Sequence, residues 1–147
     1  MKRMSLSILI LLMISALQLS ACAPASPPEE ETKPVHLEPI AGTDLNNVIL
    51  TEDAAKRLDL QTVAVREEKI NGVPRIVIPY AAVLYEANGS TWVYVNIKHL
   101  TFVRQLIIID HIDGDWVILS RGLASDAVVV TLGAAELFGS ESEFEEE

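Results

Sequence analysis

Apolar residues from position 48 onward recur in short runs with the spacing of β-strands. The alternation is clearest at 91–95, where Trp92 and Tyr94 share one face of a half-buried strand. Further strands are predicted where β-branched and aromatic residues cluster: 48–50, 61–65, 75–78, 83–85, 100–109, 116–119 and 127–131. Pro79 lacks an N–H, so it should place the 75–78 strand at an edge, a bend or a strand end.

Turn dipeptides separate these runs. Asn71-Gly72, Asn88-Gly89 and Asp113-Gly114 each lie between two predicted strands, and such pairs favour tight β-hairpin turns. The 116–119 strand should therefore pair with the end of the 100–109 strand.

Two short segments carry helical signals instead. Thr51 resembles an N-cap, and Glu52 and Asp53 would occupy the first turn of a helix over 54–58, where the helix dipole favours negative charge. A second short helix is predicted at 134–138. Since no long helical period occurs, we predict a small all-β or β-rich α+β domain with one or two short helices.

The first 22 residues follow a different pattern. Lys2 and Arg3 precede an interrupted apolar stretch at 6–19, which is too short for a transmembrane helix. The sequence Leu19-Ser20-Ala21-Cys22 looks like a bacterial lipobox, and Cys22 is the only cysteine of the chain. We predict a lipoprotein signal peptide over 1–21 and an acylated Cys22; the alternative is an ordinary signal peptide with a chance cysteine.

Lipidation would hold the protein at the cell membrane, facing the periplasm or the extracellular side, with membrane lipid as a partner. Residues 22–34 then form a Pro- and Glu-rich tether, and 35–139 form the folded β domain. Residues 140–147 are predicted to be an acidic disordered tail, because they contain five glutamates among eight residues.

Net charge limits the possible partners. The chain has a formal charge of −10, and the 35–139 segment keeps 13 acidic and 8 basic side chains. Nucleic acid is therefore not expected as a partner, since phosphate binding requires a basic surface.

Candidate catalytic and metal-binding residues are sparse. His36, His99 and His111 lie far apart in the sequence, and no nucleophile elbow, P-loop or dinucleotide fingerprint is present. The acidic segment 110–115, which includes His111, could hold a metal ion, but its Asp113-Gly114 pair is better explained as a hairpin turn. We therefore predict no catalytic residue, cofactor or metal site, and a protein that is not an enzyme.

Four aromatic residues lie within predicted strands. Packing in the core or across strands is the expected role, with a ligand-stacking platform as the alternative. These residues are Trp92, Tyr94, Phe102 and Trp116.

From residue 48 the chain resembles the periplasmic adaptor subunits, or membrane fusion proteins, of RND-type efflux systems. Three stretches carry the resemblance: 48–68 with its Val48-Ile-Leu-Thr-Glu-Asp start, 78–95 with Ile78-Pro-Tyr and Trp92-Val-Tyr-Val, and 118–137 with its Gly122-Leu pair. The resemblance implies the membrane-proximal domain of an adaptor, a small β-roll or barrel-like fold. Complete adaptors insert a barrel, a lipoyl-like domain and a helical hairpin where this chain has only residues 66–75.

This resemblance implies a non-enzymatic role in transmembrane export. The expected function is a lipid-anchored, adaptor-like protein that docks on an RND-type or other efflux transporter through strand edges or hairpin tips. The alternative is an extracytoplasmic lipoprotein module that binds a small molecule or metal and is not part of a pump.

Overall fold

The computed structural model describes residues 33–145. Ten strands, two α-helices and one 3₁₀ turn make up this part. In chain order they are β1 (Val35–Pro39), β2 (Asn46–Leu50), α1 (Glu52–Arg57), β3 (Gln61–Ala64), β4 (Arg66–Ile70), β5 (Val73–Pro79), the 3₁₀ turn (Tyr80–Ala82), β6 (Leu84–Tyr85), β7 (Thr91–Lys98), β8 (Thr101–Asp113), β9 (Trp116–Arg121), β10 (Val128–Leu132) and α2 (Ala134–Glu145).

The strands form one antiparallel sheet that curls into a half-barrel. Its main path runs β3-β10-β7-β8-β9-β5-β4, so β3 and β4 form the two ends. β2 pairs with β8 on one side and with β1 on the other, while β6 pairs with the start of β7. The predicted β-rich fold with two helices is therefore confirmed.

Strand β8 holds the two halves of the sheet together. Its 13 residues pair with β7 over Thr101 to Ile107 and with β9 from Ile108 to Asp113. The register shifts twice between Ile108 and His111, and such bulges increase local twist, which helps a sheet curl.

Two apolar clusters lie on opposite faces of the central strands. The first core lies between the sheet and both helices, and it contains Val48, Tyr94, Phe102, Val130 and Leu137. The second core contains Val65, Ile78, Val93, Ile107 and Val129. Successive side chains of a strand point to opposite faces, so β7 contributes Tyr94 to the first core and Val93 and Val95 to the second.

The predicted turns and caps have the expected local geometry. The hairpin between β4 and β5 turns through Asn71 (φ 51°) and Gly72 (φ 81°), and two positive φ angles define a type I′ turn. Thr51 Oγ1 accepts a hydrogen bond from Ala54 N at 3.2 Å, which confirms it as the N-cap of α1. Pro79 is the last residue of β5, one of its predicted positions.

The main differences from the sequence-based expectation concern three strands and one helix. β1 and β4 were not predicted, and β8 continues four residues beyond the predicted end. The predicted disordered tail from residue 140 is wrong for 140–145, because α2 continues to Glu145. The helix continues here because Glu141 is buried and its carboxylate contacts Arg104 and Tyr94 of the sheet.

Candidate functional site

The predicted lipid anchor precedes the part of the chain that the structure describes. The signal peptide, Cys22 and most of the 22–34 tether lie outside the described residues. The last residue of the tether is Pro34, and its carbonyl oxygen accepts a hydrogen bond from Thr51 N at 3.1 Å. The tether therefore enters the fold beside the first turn of α1.

The acidic segment 110–115 forms the end of a β-hairpin. Asp113 pairs with Trp116, and Gly114 (φ 57°) and Asp115 form the two-residue turn between them. The hairpin interpretation is thus confirmed, with the turn centred one residue later than the Asp113-Gly114 pair. His111 Nδ1 lies 2.9 Å from the Asp110 carboxylate, and both side chains are about half exposed.

The three histidines are not brought together. His36 lies on β1, His111 on β8, and His99 contacts Glu52 of α1 at 2.9 Å between Nε2 and Oε1. Within residues 33–145, no three His, Cys, Asp or Glu side chains are arranged to hold a metal ion.

The four strand aromatics take different positions. Tyr94 and Phe102 lie in the first core, as predicted. Trp116 is 37% exposed, and the Arg66 guanidinium lies 3.5 Å from its ring centroid. Trp92 is half-buried near Arg104, whose guanidinium carbon is 5.6 Å from the ring centroid.

A buried ionic cluster behind α2 was not foreseen from the sequence. Glu141 of α2 is 1% exposed, and its carboxylate lies 3.0 Å from Arg104 Nε and accepts a hydrogen bond from the Tyr94 hydroxyl. Arg104 also donates from Nη1 to the Glu86 carboxylate at 3.0 Å. The cluster fastens α2 to β7 and β8, so its evident role is structural.

Two tyrosines form an exposed pair after β5. The ring centroids of Tyr80 and Tyr85 are 6.4 Å apart, and both side chains are about half exposed. Desolvation raises the pKa of Tyr85, and the side-chain hydrogen bond and the electrostatic interaction with Tyr80 raise it further.

The edge formed by β4 is protected by charge. Its sequence Arg66-Glu-Glu-Lys-Ile70 places four charged side chains on five residues, all exposed. Arg66 Nη1 lies 4.0 Å from Glu68 Oε1, and the guanidinium group of Arg66 stacks on the Trp116 ring. Charged side chains on an edge strand oppose pairing with a further strand.

The edge formed by β3 has no such protection. Its residues Gln61, Thr62, Val63 and Ala64 are all uncharged and exposed, and β10 is the only described strand that pairs with it. Val65 N donates to Ala127 O at 2.9 Å, and Val63 lies opposite Val129. Along an antiparallel strand, the backbone groups of successive residues point alternately toward the partner strand and away from it. Because Val63 and Val65 face β10, the backbone N–H and C=O groups of Thr62 and Ala64 point away from β10.

Apolar side chains accompany this open edge. Val63 is 41% exposed, and Leu132, which pairs with Gln61 beyond a bulge, is 45% exposed. An extended peptide could therefore add main-chain hydrogen bonds to β3 and place apolar side chains beside Val63.

Within the described residues, no helix has the length and apolar character needed to cross a membrane. Comparison of the chain with protein-family models, curated proteins and solved structures found no match.

Proposed function

We propose that the chain is a lipid-anchored, extracytoplasmic, adaptor-like protein without enzymatic activity, which docks on an efflux transporter of the RND type. The uncharged open edge of β3 carries this proposal, because it offers a partner two residues of outward-directed backbone in an otherwise acidic protein. The resemblance of 48–137 to the membrane-proximal domain of adaptors supports the class of partner.

The position of the tether supports the same function. Pro34 contacts Thr51 at the start of α1, and α1 leads after three residues into β3. A six-residue helix is about 9 Å long, so Pro34 is separated from the start of β3 by this helix and three further residues. Residues 23–34, if extended, would reach about 37 Å. Acylated Cys22 would thus keep the domain within this distance of the membrane surface, where a transporter presents its extracytoplasmic domain.

Affinity purification from crosslinked membranes tests this proposal. The wild-type chain should recover a transporter subunit, identified by mass spectrometry. Val63→Lys should reduce this recovery about tenfold, since a lysine on an edge strand opposes strand addition. Cys22→Ser should abolish palmitate incorporation and also reduce recovery.

A matched control separates edge docking from a change in net charge. Val73→Lys adds the same charge at a valine of similar exposure (48%, against 41% for Val63) beside the β4–β5 turn, outside β3. Recovery should be unchanged in this variant. Failure of the wild-type chain to recover any transporter subunit, or equal losses with both lysine variants, would contradict the proposal.

A further inference from the structure

A small cleft lies between the start of β5 and the end of β9. Its volume is about 240 Å³. Ligand pockets for drug-sized molecules measure roughly 300–1,000 Å³, so this cleft suits a small chemical group. It is lined by Pro74, Arg75, Ile76, Leu119, Ser120, Arg121, Gly122 and Leu123.

The charge of this cleft differs from that of the whole chain. Two arginines, Arg75 and Arg121, line it, and none of the lining residues is acidic. Within the part of the chain that the structure describes, neither has a carboxylate oxygen within 4 Å, whereas Arg66 and Arg104 do. The lining of the cleft is therefore locally basic in a chain of net charge −10.

The carboxylate that faces Arg75 is shared with another arginine. Glu68 of β4 lies directly opposite Arg75, within the Debye length of about 8 Å, so it offsets part of the charge of Arg75. The same carboxylate contacts Arg66 at 4.0 Å. Arg121 lies opposite Ile108 of β8, an uncharged residue.

The chemistry of the lining defines the group that would bind. Guanidinium groups present planar N–H pairs that match the oxygens of phosphate and carboxylate, and the Ser120 hydroxyl adds a polar group. Pro74, Ile76, Leu119 and Leu123 supply an apolar wall beside them. We propose that this cleft binds the oxyanion group of a small phosphate or carboxylate compound, with an adjoining short alkyl portion against the apolar wall.

The local fold presents these groups at a fixed place. β9 ends at Arg121, and Gly122 turns the chain with a φ of 129° while its Cα packs against β8. The turn returns Leu123 to the second core, which leaves Arg121 at the mouth of the cleft. This site does not depend on docking at β3, so either proposal can fail without the other.

Titration of the full-length chain in an uncharged detergent, followed by amide chemical shifts, tests this site. Inorganic phosphate and hexanoate should each produce saturable shifts at residues 120–122, and hexanoate should bind more tightly because it also covers the apolar wall. Hexanol and sodium chloride should not produce saturable shifts at these residues. Comparison of phosphate with hexanoate shows which oxyanion the cleft prefers.

Arginine variants supply the decisive comparison. Arg75→Gln and Arg121→Gln should each weaken hexanoate binding about tenfold or more, the effect of losing one charge-assisted hydrogen bond. Arg57→Gln, which removes the same charge from α1, should leave it unchanged, and unaltered circular dichroism should confirm that each variant is folded. The proposal is overturned if neither anion binds, if hexanol binds as tightly as hexanoate, or if Arg57→Gln weakens binding equally.

Discussion

Gly122 occupies a position that no other residue fits. Its φ is 129°, and a Cβ built there would lie 2.7 Å from Leu106 O and 2.8 Å from Ile107 Cα. Both contacts are backbone atoms of β8, which pairs with strands on both sides. A side chain at 122 therefore has to displace the central strand of the sheet as well as adopt an unfavourable backbone conformation.

We expect Gly122→Ala to lower the free energy of unfolding by about 2–4 kcal/mol, combining backbone strain with overpacking. Urea unfolding measures this loss. Gly89→Ala is the matched control, because Gly89 also has a positive φ of 87° but has no atom within 4 Å of its built Cβ. Its loss should be about 1 kcal/mol, from backbone strain alone. Equal losses in the two variants would contradict the close approach at Gly122.

At the scale of elements, helix α2 depends on one buried ion pair. Glu141→Ala removes the carboxylate that contacts Arg104 and Tyr94, whereas the contact of Arg104 with Glu86 remains. Removing one member of a buried pair costs about 3–5 kcal/mol. We expect the free energy of unfolding, measured in urea, to fall by an amount near the lower end of that range, since Arg104 is still partly neutralised.

Glu143→Ala is the control for this prediction. Glu143 lies on the same helix and is exposed, so its replacement should change the free energy of unfolding by less than about 0.5 kcal/mol. Similar effects of the two variants would show that α2 responds to helix propensity or net charge rather than to the buried pair.

The same helix shows where prediction from the sequence ends. Thr51, Asn71-Gly72 and the apolar runs each carry a local signal, and their elements were predicted. Glu141 carries no such local signal, because its burial depends on Arg104, which lies 37 residues away in the sequence. Without that contact, the run Ser-Glu-Ser-Glu at 140–143 has the composition of a solvated tail.

Strand β4 was missed for the opposite reason. Its sequence of four charged residues lacks the alternation of a half-buried strand, and all but the last residue are exposed. It is a strand because it pairs with β5 through the type I′ turn. The cleft lined by Arg75 and Arg121 was likewise invisible in the sequence, since the two residues are 46 positions apart and only the β5–β9 pairing brings their strands together.

At the scale of the whole molecule, the two cores share their strands. β7 gives Tyr94 to the first core and Val93 to the second, and β8 gives Phe102 to the first and Ile107 to the second. Neither core can be exposed without separating strands that the other requires. The described domain should therefore unfold as one cooperative unit.

Two single-tryptophan variants can test this cooperativity. Trp92 lies on β7 opposite Leu84, which packs on the first core, whereas Trp116 lies on β9 at the far side of the sheet. Trp116→Phe retains Trp92 as its fluorophore, and Trp92→Phe retains Trp116. The fluorescence of each variant should show one unfolding transition in urea. Each transition should coincide with the loss of circular dichroism in the same variant.

Leu137→Ala then perturbs the first core alone. Leu137 is fully buried on α2, and the truncation should lower the free energy of unfolding by about 2–5 kcal/mol. Because β7 and β8 link the cores, we expect the midpoint reported by Trp116 to fall together with that reported by Trp92, although Trp116 has no place in the first core. A Trp116 midpoint that stayed at its original urea concentration would show that the β4-β5-β9 end of the sheet unfolds independently, and that the shared strands do not couple the two cores.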